Sequence, residues 1–134
     1  MFLLIILSYL GINGYEIKQD LFEPVIKVDS IHFPTVDKYL FLKNKSRGLN
    51  YTIKVISTSS KKDPIPDISN DLIYKSDLDI FYKVNADTLK VYTRIRSEVP
   101  VNFPNEIVLE QKVLDNPTYM NLYDTHEELG LQYF

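Results

Sequence analysis

Two histidines, His32 and His126, are the residues in this chain best suited to proton transfer near neutral pH. A Ser–His–Asp relay needs an imidazole held against a nucleophile and oriented by an acid. Neither histidine has such a context nearby, and no Gly-x-Ser-x-Gly elbow occurs. Asp124, His126, Glu127 and Glu128 offer oxygen and imidazole ligands within one short run. Neither a His-Glu-x-x-His pattern nor an Asp-rich calcium loop accompanies them, so the run reads as a solvated acidic segment. Asp63, Asp67 and Asp71 recur every four residues, but Pro64 and Pro66 prevent the regular helix that would align them. Cysteine is absent, which excludes disulfides, zinc thiolates and a thiol nucleophile. The sequence thus assigns no catalytic residue, no metal ligand and no cofactor.

Tyrosine is the distinctive residue type, with 10 copies. The aromatic residues most open to a binding role lie in a predicted hairpin. Leu78, Ile80, Tyr82 and Val84 alternate with polar positions, then Asn85-Ala86-Asp87-Thr88 turns, then Leu89, Val91, Thr93 and Ile95 alternate in the same way. Pairing Val84 with Leu89 fixes the register and gathers the apolar residues on one side. On the other side Phe81 faces Tyr92, Asp79 faces Arg94, Asp77 faces Arg96 and Lys83 faces Lys90. The first three pairs are favourable and the last is not. Phe81, Tyr92, Asp79 and Arg94 are therefore the candidate binding surface.

The elements that position this hairpin are read from period-two patterning broken by seven prolines. Strands are predicted at Val25–Ile31, Lys38–Lys43, Asn50–Ser57, Asp77–Val84, Thr88–Arg96, Glu106–Leu114 and Thr118–Tyr123. Lys43–Leu49 reads as a polar connector with Gly48 at its turn, Ser57–Asn70 as the longest loop, and Asp124–Leu129 as one helical turn stopped by Gly130. Seven short strands of this kind imply an all-β fold, an antiparallel two-sheet sandwich of the immunoglobulin-like class. The Cys–Trp–Cys core of antibody domains is absent, since the chain has neither residue.

Residues 1–10 are nearly all apolar, residues 1–14 carry no charged side chain, and Glu16 is the first charge. This is the pattern of a signal peptide with Gly14 at the cleavage point, although no Lys or Arg precedes the apolar run. Twelve or so apolar residues make a helix of about 18 Å, too short for a permanent membrane span. The expected product is a single β-sandwich domain, 15–134, exported to the periplasm or secreted. Asn44-Lys45-Ser46 and Asn50-Tyr51-Thr52 match the N-glycosylation triplet, which matters only in a eukaryotic secretory route.

A net charge of −3 and only Arg47, Arg94 and Arg96 as arginines argue against nucleic acid as a partner. The sequence points to a non-enzymatic binding or structural module of the cell envelope or extracellular space. Its partner would be a protein or a carbohydrate, met by the Phe81–Tyr92 face or by loops at one end of the sandwich. The alternatives are a soluble inhibitor or immunity-type protein that blocks a protein partner, and an enzyme of unrecognised type.

Overall fold

The computed structural model describes residues 25–47, 51–62 and 66–134. The expected leader with Gly14, the turn residue Gly48, Asn50 of one triplet and Asp63 of the aspartate series lie outside the described residues. Among the described residues, alternating β-branched and aromatic residues form eight strands: β1 (Val25–Phe33), β2 (Lys38–Arg47), β3 (Tyr51–Ser57), β4 (Leu72–Tyr74), β5 (Phe81–Asn85), β6 (Thr88–Thr93), β7 (Val108–Val113) and β8 (Gln132–Tyr133). One helix, α1 (Asn116–Thr125), lies between β7 and β8.

Strands β1-β2-β3-β4 make an antiparallel meander, and β7-β6-β5-β8 make the second sheet. The main core lies between them. Ile31, Phe33, Leu40, Leu42, Ile56, Leu72 and Tyr74 come from the first sheet or its hairpins, and Tyr82, Leu89 and Val91 from the second, with Ile80 and Ile107 from flanking segments. The all-β two-sheet sandwich expected from the sequence is therefore the architecture of the chain. Within it, β6 and β7 run parallel, with Thr88 opposite Val108 and Thr93 opposite Val113. A parallel pair cannot be closed by a tight turn. The chain returns through the irregular segment 94–107, an arch whose Ser97 bonds to Ile73 of β4 and to Gln111 of β7.

The expected strand Thr118–Tyr123 is a helix. Asp115 caps it, its Oδ1 accepting a hydrogen bond from the Thr118 N–H at 2.8 Å, and Pro117 occupies the first turn. Tyr119 and Leu122 point inward and, with Phe81 and Leu131, form a second core on the outer face of the β5–β6 sheet. The domain is thus layered sheet, sheet, helix. Gly130, with φ of +70°, ends the turn that follows α1.

The supposed connector at Lys43–Leu49 is strand as far as Arg47, because β2 is central and pairs on both edges. Its Lys43 and Lys45 are buried, as are Ile53 and Val55 on the same face of the sheet. Asn44 of the other triplet therefore sits in a central strand. β4 and β8 were not anticipated, being too short to show a period. Among the described residues no helix is long and apolar enough to cross a membrane.

Candidate functional site

The hairpin forms in the expected register: Phe81 opposite Tyr92, Tyr82 opposite Val91, Lys83 opposite Lys90 and Val84 opposite Leu89. The like-charged pair is relieved by a third strand, since Lys90 Nζ lies 3.9 Å from Glu110 Oε2 on β7. The ladder stops at Phe81, however, and the expected pairs Asp79–Arg94 and Asp77–Arg96 do not form. Before Phe81 the chain pairs elsewhere: the Ile80 N–H donates to Phe134 O at 3.0 Å, and the Phe134 N–H donates to Ile80 O at 3.1 Å. Arg94 donates instead to Leu114 O at 2.6 Å.

The four residues of the candidate surface therefore do not share an open face. Phe81 is fully buried beneath α1, edge-on to the rings of Tyr119 and Tyr123 at 5.7 and 5.1 Å. Tyr92 is half-buried at the margin of the same core, with Lys112 Nζ 5.8 Å from its ring centre. Asp79 turns toward the sandwich interior. Its Oδ1 accepts from Lys54 Nζ at 3.0 Å and its Oδ2 from the Tyr123 hydroxyl at 3.0 Å, while the Tyr119 hydroxyl donates to its backbone oxygen at 2.7 Å. Lys54 also donates to Phe134 O at 2.6 Å. The ammonium is thus satisfied twice, as a buried cation must be. Burial pushes the Tyr119 and Tyr123 hydroxyls above the ordinary phenol range. This cluster joins the first sheet, the second sheet and the helix, and its groups are occupied with one another.

His32 lies on the β1–β2 hairpin, stacked on Tyr39 at 4.5 Å, with Nε2 3.1 Å from Asp37 Oδ1. Both His32 and Asp37 are solvent-exposed. Asp67 and Asp71 organise their own loop: Asp71 Oδ2 accepts from the Asp67 N–H and Asp67 Oδ1 from the Ser69 N–H, each at 2.9 Å. Among the described residues, no three His, Asp or Glu side chains converge as metal ligands would.

Among the described residues, two larger concave sites lie apart from this cluster. One, of about 560 Å³, lies between β1, β5, the end of α1 and β8, with His126, Glu127 and Asp29 in its lining. The other, of about 540 Å³, is built by the arch 94–107, the loop before β4 and the edge of β4 itself. Aliphatic side chains line this second groove while remaining in solvent: Ile68 is 81% exposed, Ile95 62%, Val99 51% and Val101 92%.

Polar contacts hold those aliphatic residues in place. Gln111 of β7 grips the backbone of Ser97, its Oε1 accepting from the Ser97 N–H at 2.9 Å and its Nε2 donating to Ser97 O at 2.8 Å. The Tyr74 hydroxyl donates to the same Gln111 oxygen at 2.7 Å. Ser97 Oγ accepts the Ile73 N–H at 3.0 Å, occupying an edge donor that another strand could otherwise use. The Asn102 N–H donates to Ser69 O and its Nδ2 to Asn70 Oδ1, at 3.0 and 3.1 Å, which ties the two loops together. Pro100 and Ile107 are buried, and Phe103 packs on the main core.

Sequence reading missed this groove because Ile95 was assigned to a strand interior, and because Val99 and Val101 flank a proline in no periodic pattern. The usable signal was the length of the proline-bearing link between two strands. No family model, no curated protein and no solved structure matches the chain.

Proposed function

We propose that this chain is a non-enzymatic binding module of the cell envelope or extracellular space, and that it engages a protein partner through the groove of Ile68, Ile95, Val99 and Val101. The observation that carries this reading is a cluster of solvent-exposed aliphatic side chains on two loops fixed by hydrogen bonds to each other and to both sheets. Exposed apolar area is costly in water and, when contiguous, marks surfaces that are covered in a complex. A pre-ordered loop loses little entropy on docking, so more of the burial energy appears as affinity. Long irregular connections in compact domains are usually functional for the same reason. A protein fits better than a carbohydrate, because sugars are held on aromatic faces and the exposed lining here is aliphatic. Export is supported by the uncharged apolar opening of the sequence.

The experiment is a photo-crosslinking amino acid placed at Val101, with a control at Met120 on α1, in cells making the full chain. A discrete protein adduct from Val101 that is absent from Met120 supports the reading. Equal labelling at both positions, or none at Val101, contradicts it. The intact mass of the recovered protein tests export separately, through removal of residues 1–14.

A further inference from the structure

The groove beside His126 is separate from the aliphatic one and has a different chemistry. His126 ends α1, and its Nδ1 lies 3.0 Å from both Leu122 O and Tyr123 O. Carbonyl oxygens only accept, so Nδ1 carries the proton in these contacts, and in the neutral ring Nε2 is left as an acceptor. The ring is fixed by its neighbours, edge-on to Tyr133 at 5.4 Å and tilted against Phe81 at 5.8 Å.

Asp29 from the edge strand β1 and Glu127 line the same cavity, with Ser30, Tyr82 and Tyr133. No Lys or Arg is among the described residues that line it. The Tyr82 hydroxyl donates to Gln132 Oε1 at 2.9 Å, which secures β8 as one wall. Burial, and secondarily the charge of Asp29, raise the Tyr82 hydroxyl above its ordinary range, in keeping with a carboxylate near it.

We infer that this groove binds an organic cation, a guanidinium or primary ammonium on a short stem. Two carboxylates and an imidazole acceptor offer charge and lone pairs to N–H donors. The exposed face of Tyr133 suits a cation. The acceptors do not form a three-ligand metal cluster, and a volume near 560 Å³ suits a small organic group better than a bare ion. The cation could belong to a free diamine-type molecule or to an arginine side chain of another protein; the recognition chemistry is the same.

The test is NMR titration of the full chain with agmatine, with a blocked Arg-containing tetrapeptide, and with acetate as the anionic control. Saturable shifts of the His126 and Tyr133 ring signals with agmatine or the peptide, and none with acetate, are the expected result. The double variant Asp29→Asn/Glu127→Gln, both sites being exposed, should keep its urea midpoint and bind about tenfold more weakly. Tighter binding of the peptide than of agmatine assigns the cation to a protein partner, and the reverse ranking assigns it to a free molecule. Non-saturable shifts, equal shifts with acetate, or unchanged affinity in the double variant overturn the inference.

Discussion

Lys54 Nζ and Asp79 Oδ1 lie 3.0 Å apart across the two sheets, the lysine side chain 2% exposed and the aspartate 33%. Lys54 is on the core-facing side of β3, two residues before Ile56. It is a cation enclosed on the core side of the first sheet, and Asp79 is the charge that makes this tolerable. Removing the acid should therefore harm the fold more than removing the base. Asp79→Ala leaves a buried ammonium with Phe134 O as its remaining acceptor and is expected to cost about 1–3 kcal/mol in urea unfolding. Lys54→Met keeps the volume and removes the charge, and is expected to cost less. Equal losses would contradict this asymmetry, and the double variant measures the coupling itself.

Ala86 adopts φ of 55° in the two-residue turn that joins β5 and β6. A side chain in that left-handed region crowds its own backbone, whereas glycine does not. Ala86→Gly should raise stability by about 0.5–1 kcal/mol, measured by thermal or urea unfolding, and Ala86→Val should lower it.

The hairpin register was legible because two long alternating runs and a short polar turn leave one solution with all the apolar residues together. Its charged end was not, because the partner of Ile80 is Phe134, far away in sequence, and the partner of Asp79 is Lys54. Alternation alone cannot say that a lysine on β3 faces inward. The helix was misread as a strand because its inward face is narrow, with Tyr119 and Leu122 as its buried residues. The Asp115-x-Pro117-Thr118 capping signal was in plain view and outweighs the short β-like run after it. The aliphatic groove was hidden for another reason: a loop residue's exposure depends on where the loop is tied down, and Gln111, Ser97 and Asn102 tie it through tertiary contacts.

Alkaline pH should unfold the protein. Tyr74, Tyr82, Tyr119 and Tyr123 all have hydroxyls raised above 10.0, chiefly by burial. In the unfolded chain these groups lose protons near 10.0, while the native ones hold theirs. Their contribution is therefore fully present below about pH 10 and is lost as pH rises toward the native values. Urea midpoints should fall above that pH, and tyrosinate absorbance should show a class that ionises only on unfolding. Tyr74→Phe should lower stability at neutral pH by losing its bond to Gln111, and should flatten the alkaline decline.

Tyr119 is fully buried, contacts Phe81 and bonds to Asp79 O and Tyr123. Tyr119→Ala opens a cavity under the helix and is expected to cost about 3–5 kcal/mol, and Tyr119→Phe about 1 kcal/mol. Hydrogen exchange should show α1 loosening in the alanine variant before the hairpin does.

Affinity for the protein captured at Val101 tests the central claim most directly. Val101→Asp and Ile68→Asp alter side chains that are 92% and 81% exposed, so the fold should keep its urea midpoint. The account predicts that each variant binds that partner roughly tenfold more weakly or worse, by calorimetry with the purified proteins. Unchanged affinity in both variants would contradict it.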